Sequence, residues 1–164
     1  AVIVNAASPV ADLTREQVRD IFTGAVQNWK EVGGPDAPIH LYARDPISGT
    51  YLGFREMALG DKAYATNLTT STSYDGIVQA VARDANGIGY TSVQLASEPG
   101  VKGVAIGGVA PTAAAVKDGK YPFARALHLY TNKAKESGPT RSFIDFIVSA
   151  KGQQIVDQMG YVAK

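Results

Sequence analysis

Cysteine is absent from the 164 residues. That excludes disulfides and thiolate metal sites, and it fits a reducing or an oxidising compartment alike. Histidine is scarce: His40 and His128 are the only two. Neither has a neighbour at metal-ligand spacing, so each is read as a packed or surface residue. An excess of one charge is also lacking, since 16 Lys and Arg face 15 Asp and Glu, for a formal net charge of +1. No overall field therefore recruits nucleic acid or an acidic membrane. No apolar run approaches the roughly 20 residues of a membrane span, and no segment is built as a signal peptide. Repeats and low-complexity tracts are missing too. What is present is globular: 45% apolar and 19% charged residues, enough chain for one domain, or for a lobe with an extension. Ala1 opens directly into the apolar run Ala1–Val4, as expected of a chain trimmed from a longer precursor.

Strand-like and helix-like segments alternate. Ala1–Val4 reads as a buried strand, and Thr14-Arg15-Glu16-Gln17 as a capped helix start with Val18, Ile21 and Phe22 on one face. Asn28-Trp29 falls in a loop closed by Gly33-Gly34-Pro35. Strand Ile39–Tyr42 and helix Thr50–Leu59 follow. Ser73-Tyr74-Asp75-Gly76 opens a third helix carrying Ile77, Val78, Val81 and Ala82. Asn86-Gly87-Ile88-Gly89-Tyr90 is a turn into a short strand, and Val101–Ile106 is another. Ala126–Tyr130 alternates as a strand does. Thr140–Met159 is an amphipathic helix or helix pair with Gly152 as the break. Its core face is Phe143, Phe146, Ile147, Ile155 and Val156. Alternation of this kind means α/β.

The chemistry concentrates in Ala43-Arg44-Asp45-Pro46-Ile47-Ser48-Gly49-Thr50. Pro46 and Gly49 separate the strand before it from the helix after it, and Ser48 or Thr50 is a natural N-cap. A helix start carries unpaired N–H groups and partial positive charge, so it attracts anions. Two hydroxyls, a glycine that admits a ligand to the backbone and the Arg44 guanidinium suit a tetrahedral oxyanion. An ordinary capped helix is the competing reading of these residues.

Catalytic arrangements are not apparent. Ser48 lacks the Gly-x-Ser-x-Gly elbow and a visible basic partner. Asp75-Gly76 and Asp118-Gly119 read as turns, not paired acids. Gly103–Gly108 lacks the lysine and hydroxyl order of a phosphate loop. Trp29 and Tyr90 read as core or loop packing anchors, with a place flanking a cleft as the alternative, and Lys133, Lys135 and Glu136 as solvated surface. Neither an enzyme activity nor a cofactor is expected.

The landmarks Val2-Ile3-Val4-Asn5, Leu13–Gly24, Asn28–Gly34, Arg44 with Ser48-Gly49-Thr50, Ala85–Tyr90, Tyr121-Pro122-Phe123 and Ser149–Val156 occur in one order. In that order the chain resembles the second lobe of phosphate-binding proteins of ABC transporters. The resemblance covers nearly the whole chain. It implies an α/β fold of the periplasmic-binding-protein type (type II), with one lobe largely complete and part of the other. Residues 1–119 would be the second lobe and residues 120–164 the C-terminal return to a mostly absent first lobe. It implies an extracytoplasmic solute-binding protein, or a fragment of one, with inorganic phosphate as ligand and an ABC transporter permease as partner. Any membrane association would be through partners only. The alternative is a truncated relative serving as a regulatory or interaction module without tight binding. Only half of the family's phosphate site transfers: Arg44, Ser48, Gly49 and Thr50. The family's second oxyanion-binding helix start, and its acidic acceptor for the phosphate proton, belong to the part not found here. The chain alone is therefore expected to bind phosphate weakly or undetectably. It is also expected to expose apolar surface around Phe143, Phe146 and Ile147, favouring self-association or pairing with a separate N-terminal segment.

Overall fold

The computed structural model describes residues 1–164. Strands β1 (Val2–Asn5), β3 (His40–Arg44), β4 (Thr69–Ser71), β5 (Gly87–Tyr90) and β6 (Val101–Gly103) form a five-stranded sheet in the order β4-β3-β5-β1-β6. The sheet is mixed. β3 runs parallel to β4 and β5, whereas β1 runs antiparallel to β5 (Val2 opposite Tyr90) and to β6 (Ile3 opposite Gly103). A second, two-stranded sheet pairs β2 (Asp12–Leu13) in parallel with β7 (Ala105–Ile106).

Both faces of the main sheet are covered, which is why β1 is an unbroken apolar run rather than an alternating one. Val2 and Val4 point to the side of α1 (Arg15–Phe22) and α2 (Gly49–Leu59), where Val18, Ile21, Phe22, Phe54 and Leu59 complete the larger core. Ile3 points the other way, into a smaller core with Ile77, Val78 and Val81 of α3 (Tyr74–Arg83). The close seating of α3 depends on glycine in β5. A Cβ on Gly89 would lie 2.7 Å from Ile77 Cγ2, a distance real side chains do not tolerate.

The helix starts follow the sequence. Thr14 caps α1 in a capping box with Gln17, and Ser73 caps α3 through the Gly76 amide. Asn28 caps a short 3-10 turn, Trp29–Val32, where a loop was expected; Trp29 is buried there and donates through Nε1 to Asn86 O at 3.0 Å.

Three expectations are corrected. Val101–Ile106 is not one strand: Val104 divides it between β6 in the main sheet and β7 in the small one. Ala126–Tyr130 has strand-like alternation but joins no sheet, and Leu127 is 66% exposed. Alternation supplies two faces, yet a strand exists only where another strand meets its N–H and C=O groups. The break in the C-terminal helix pair falls at Ser149, between α5 (Gly138–Val148) and α6 (Ala150–Gln158), with the Ser149 backbone extended at ψ 163°. Gly152 lies inside α6, where any side chain would collide with the Phe146 and Ile147 carbonyls.

The remaining helix, α4 (Ala113–Lys117), precedes the segment Tyr121–Phe123. Tyr121 and Phe123 are buried in the larger core of the body. Beyond them the character changes, and α5 and α6 bury no residue except Gly152. Their apolar side chains remain in solvent, with Phe143 62% and Phe146 43% exposed and Ile147 half-buried. The expected apolar surface on the return is therefore present.

Candidate functional site

The segment that follows β3 turns at Asp45–Ile47 and enters α2. Asp45 O accepts from the Ser48 amide at 3.0 Å, and Ser48 then caps the helix by accepting from Thr50 N at 3.2 Å. Of the two candidate caps, Ser48 fills the role, and Thr50 lies in the first helical turn. The amides of Gly49 and Tyr51 have no partner within the protein. These are the orphan donors of a helix start, carrying the positive end of the helix dipole. Gly49 has no left-handed backbone, so what it contributes is room beside these amides, where Arg125 Nη2 is the one atom near a would-be Cβ.

Arg44 closes β3 with its side chain 19% exposed. Its guanidinium stands 3.9 Å from Asp45 Oδ2, a long ion pair, while Arg44 Nε and Asp45 Oδ1 are buried without a hydrogen-bond partner. An unsatisfied buried donor of this kind costs about 1–3 kcal/mol, and more for a charged group. An anionic ligand would meet that deficit. The backbone of Arg44 is held separately: its N–H donates to Tyr90 Oη at 3.1 Å. Burial raises the Tyr90 phenol above its ordinary value, so the hydroxyl stays neutral. It reaches Tyr64 Oη at 3.4 Å, and Tyr64 donates to Tyr51 O at 3.0 Å. Tyr90 also stacks on Phe54 at 4.2 Å between ring centroids, and Phe22 meets Phe54 edge-on at 5.1 Å. The strand end and the helix start thus rest on one aromatic cluster.

Tyr74, at the start of α3, joins the two sides of the site. Its hydroxyl lies 2.7 Å from Thr50 Oγ1, and Arg44 Cζ lies 5.1 Å from its ring centroid. The ring gives the guanidinium a cation–π seat. When Tyr74 donates to Thr50, the Thr50 hydroxyl keeps its own proton for a ligand. Arg44 and Tyr74 also wall an open cleft of about 600 Å³, shared with Ser73, Ser92, Gln158 and Tyr161.

The four residues singled out in the sequence therefore surround one turn: Arg44 at the strand end, Ser48 as cap, Gly49 at the free amide and Thr50 beside Tyr74. Sequence reasoning missed Tyr74, Tyr90, Asp45 and Arg125. The Arg125 guanidinium lies along α2, 3.7 Å from where a Gly49 Cβ would stand. Only one signal for it existed in the sequence, a glycine at position 53 inside the helix. The histidines lie elsewhere. His40 pairs with Asp84 Oδ2 at 2.7 Å at the opposite end of β3, and His128 is exposed. No group of three or more metal-ligating side chains is assembled anywhere in the chain.

A sequence profile for the PBP superfamily domain matches residues 1–151. The phosphate-binding protein PstS of Bacillus subtilis is 34% identical over 163 residues, covering 99% of this chain and 54% of the relative. PstS of Borreliella burgdorferi is 32% identical, covering 93% of this chain and 58% of its own. Among solved structures, a proposed phosphate ABC transporter substrate-binding protein with bound phosphate, from Clostridium perfringens, matches with a TM-score of 0.88 at 36% identity. An ABC-type phosphate transport receptor from Vibrio cholerae matches with a TM-score of 0.90 at 27% identity. Each covers 100% of this chain and 68% of the other. The chain spans just over half the length of the curated relatives it matches.

Proposed function

The chain belongs to the PBP superfamily, and from that premise we propose that it forms one wall of an inorganic phosphate site in an extracytoplasmic solute-binding protein serving an ABC transporter. The function is non-covalent capture, not turnover. One observation carries the reading: the Gly49 and Tyr51 amides lie unpaired at the start of α2, beside Arg44 with its unpartnered Nε. The names of the relatives supply the ligand class, and the arrangement supplies matching donors.

On this reading the anion sits against the first turn of α2. The Gly49 and Tyr51 amides, the hydroxyls of Ser48 and Thr50, and the Arg44 guanidinium donate to its oxygens. Tyr74 orients Thr50 and backs Arg44, and Asp45 limits the guanidinium's freedom. Residues 1–119 act as the second lobe and residues 120–164 as the return toward a first lobe that other residues must complete. The permease is the partner that the transporter assignment implies. No helix of the chain is long and apolar enough to cross a membrane.

One wall cannot enclose a ligand. Losing several charged hydrogen bonds of about 1.5–3 kcal/mol each moves affinity by roughly tenfold for every 1.4 kcal/mol. The test is calorimetric titration of phosphate and sulfate into the chain, alone and mixed with the N-terminal part of a full-length relative. Weak binding alone, tightened by the added part and then selective for phosphate, supports the reading. Equal, tight binding of both anions by the chain alone contradicts it, as would an added part that changes nothing.

A further inference from the structure

Gly53 stands in the interior of α2, a position where glycine is among the least favourable residues. Gly49 lies one turn earlier on the same helix face. The strip they leave bare is occupied by the guanidinium of Arg125. A Cβ at Gly53 would lie 3.1 Å from its Cζ and Nη1 and 3.2 Å from its Nε, and one at Gly49 would lie 3.7 Å from its Nη2. The planar group therefore lies along the Gly49–Gly53 face, with Nη2 at its Gly49 end. The residues before it are fixed: Tyr121 Oη accepts from Val2 N at 3.2 Å, and the Phe123 ring lies 5.8 Å from Phe54. Arg125 is thus the first long side chain beyond the point where the chain leaves the body's core.

No carboxylate of the protein lies within ion-pair distance of it. The Arg125 guanidinium forms no ion pair, in contrast to Arg44, Arg55 and Arg141. It also sits at the end of α2 where the helix dipole opposes a cation, in a site that already holds Arg44. Arg125 is exposed to solvent, Asp45 lies 3.9 Å from Arg44, and Asp75 stands in the same cleft wall as Arg44. A guanidinium without an ion pair beside a positive helix end is still free to take an anion. Resting on the phosphate-site reading above, we propose that Arg125 is a second cationic binding residue of this site, placed by the Gly49–Gly53 face and directed at a tetrahedral dianion. A dianion gains from both guanidinium groups, whereas a tetrahedral monoanion gains about half as much Coulomb attraction. The same contact ties the start of the C-terminal return to the occupied site.

The test is a titration with inorganic phosphate at constant ionic strength, following the amide resonances of Gly49 and Thr50. The intact chain is compared with Arg125→Ala, Arg125→Lys, Gly53→Ala and Arg44→Ala. Arg125→Ala is expected to weaken binding about tenfold, with partial recovery in Arg125→Lys, which keeps charge but not the planar fork. Gly53→Ala should weaken binding although every charge remains, because its methyl would stand 3.1 Å from the guanidinium and push it off the strip. Sulfate should lose affinity in Arg125→Ala as phosphate does, and perchlorate should lose less. If Arg44→Ala loses binding while Arg125→Ala and Gly53→Ala titrate like the intact chain, Arg125 is no part of the site and the site itself stands. If no saturable change appears at Gly49 and Thr50 either in the intact chain alone or in the chain mixed with the N-terminal part of a full-length relative, the site reading fails and takes this inference with it. Should Arg125→Ala not give a folded spectrum, Gly53→Ala decides, and unchanged or tighter binding overturns the proposal.

Discussion

In the proposed site, Arg44 is the residue expected to matter most. Its backbone is bonded to Tyr90, its charge is only loosely matched by Asp45, and its Nε has no acceptor. Arg44→Ala should remove a charged contact worth about 1.5–3 kcal/mol, roughly a ten- to hundredfold loss of phosphate affinity, with Arg44→Lys rescuing only part. Titration of the two variants checks this, and unchanged affinity in Arg44→Ala would contradict the assignment. The position of Arg44 beside the helix start was legible in the sequence, whereas its assignment to phosphate came from the resemblance, since an ordinary capped helix fits the same residues. Tyr74 was legible only as part of a helix start. Its link to Thr50 depends on how β3 and α3 are packed together, which no local pattern encodes. At the other end of β3, Asp84 is a structural counterpart. Burial works to raise its carboxyl, but hydrogen bonds from the Asn86 amide, His40 and Tyr42 outweigh this and hold it below the ordinary value. A lowered folded value stabilises above the unfolded pKa of about 3.9, and that contribution is lost as pH falls through the folded value. Asp84→Asn should therefore lower the melting temperature at pH 7 and flatten its decline on acidification, in melts recorded from pH 7 down to pH 3. An acid limb as steep as that of the intact chain would show that Asp84 is not part of it.

Among elements, α2 does two tasks with two faces. Phe54, Ala58 and Leu59 pack into the core, while Gly49 and Gly53 leave a bare strip toward Arg125. Its existence was readable from the apolar residues after Ser48, and its cap to within the pair Ser48 and Thr50, of which the structure chooses Ser48. The division of labour between its faces was not, because Arg125 is 72 residues beyond Gly53 in the numbering. Phe54→Ala should cost about 3–5 kcal/mol of stability, measured by urea unfolding, since Phe22, Tyr90 and Phe123 all contact its ring. Gly49→Val separates binding from folding. The position has no left-handed backbone and meets only Arg125 Nη2, so the melting temperature should hardly move while the anion loses its approach to the amide. A large fall in stability with binding retained would make Gly49 structural instead. Ala126–Tyr130 illustrates the limit of reading a pattern: its alternation is plain, but no strand of this chain meets it. Gly152 is similar. Its presence near a helix break was visible, but the collision it avoids with the Phe146 carbonyl emerges only once α5 and α6 are folded together.

At the scale of the whole molecule, a well-packed body carries a C-terminal helix pair that buries almost nothing of its own. Leu127, Leu129, Phe143, Phe146, Val148 and Ile155 all remain exposed, more apolar surface than a stable monomer ordinarily leaves in water. Sedimentation velocity should therefore show concentration-dependent association, reduced when Phe143 and Phe146 are changed to Ser. A monomer at all concentrations would mean that the return covers this surface itself. The exposed face was legible in the sequence from the resemblance rather than from the residues, whose amphipathic spacing alone reads as an ordinary buried helix face. The central claim is that the β3–α2 turn is a phosphate site presented from one wall only. It is tested most directly by mapping the amide resonances of the whole chain during titration with inorganic phosphate. The account predicts saturable changes centred on Arg44, Gly49, Thr50 and Tyr51, with half-saturation in the millimolar range, around −4 kcal/mol. Changes centred elsewhere, or nanomolar saturation by this chain alone, would contradict it.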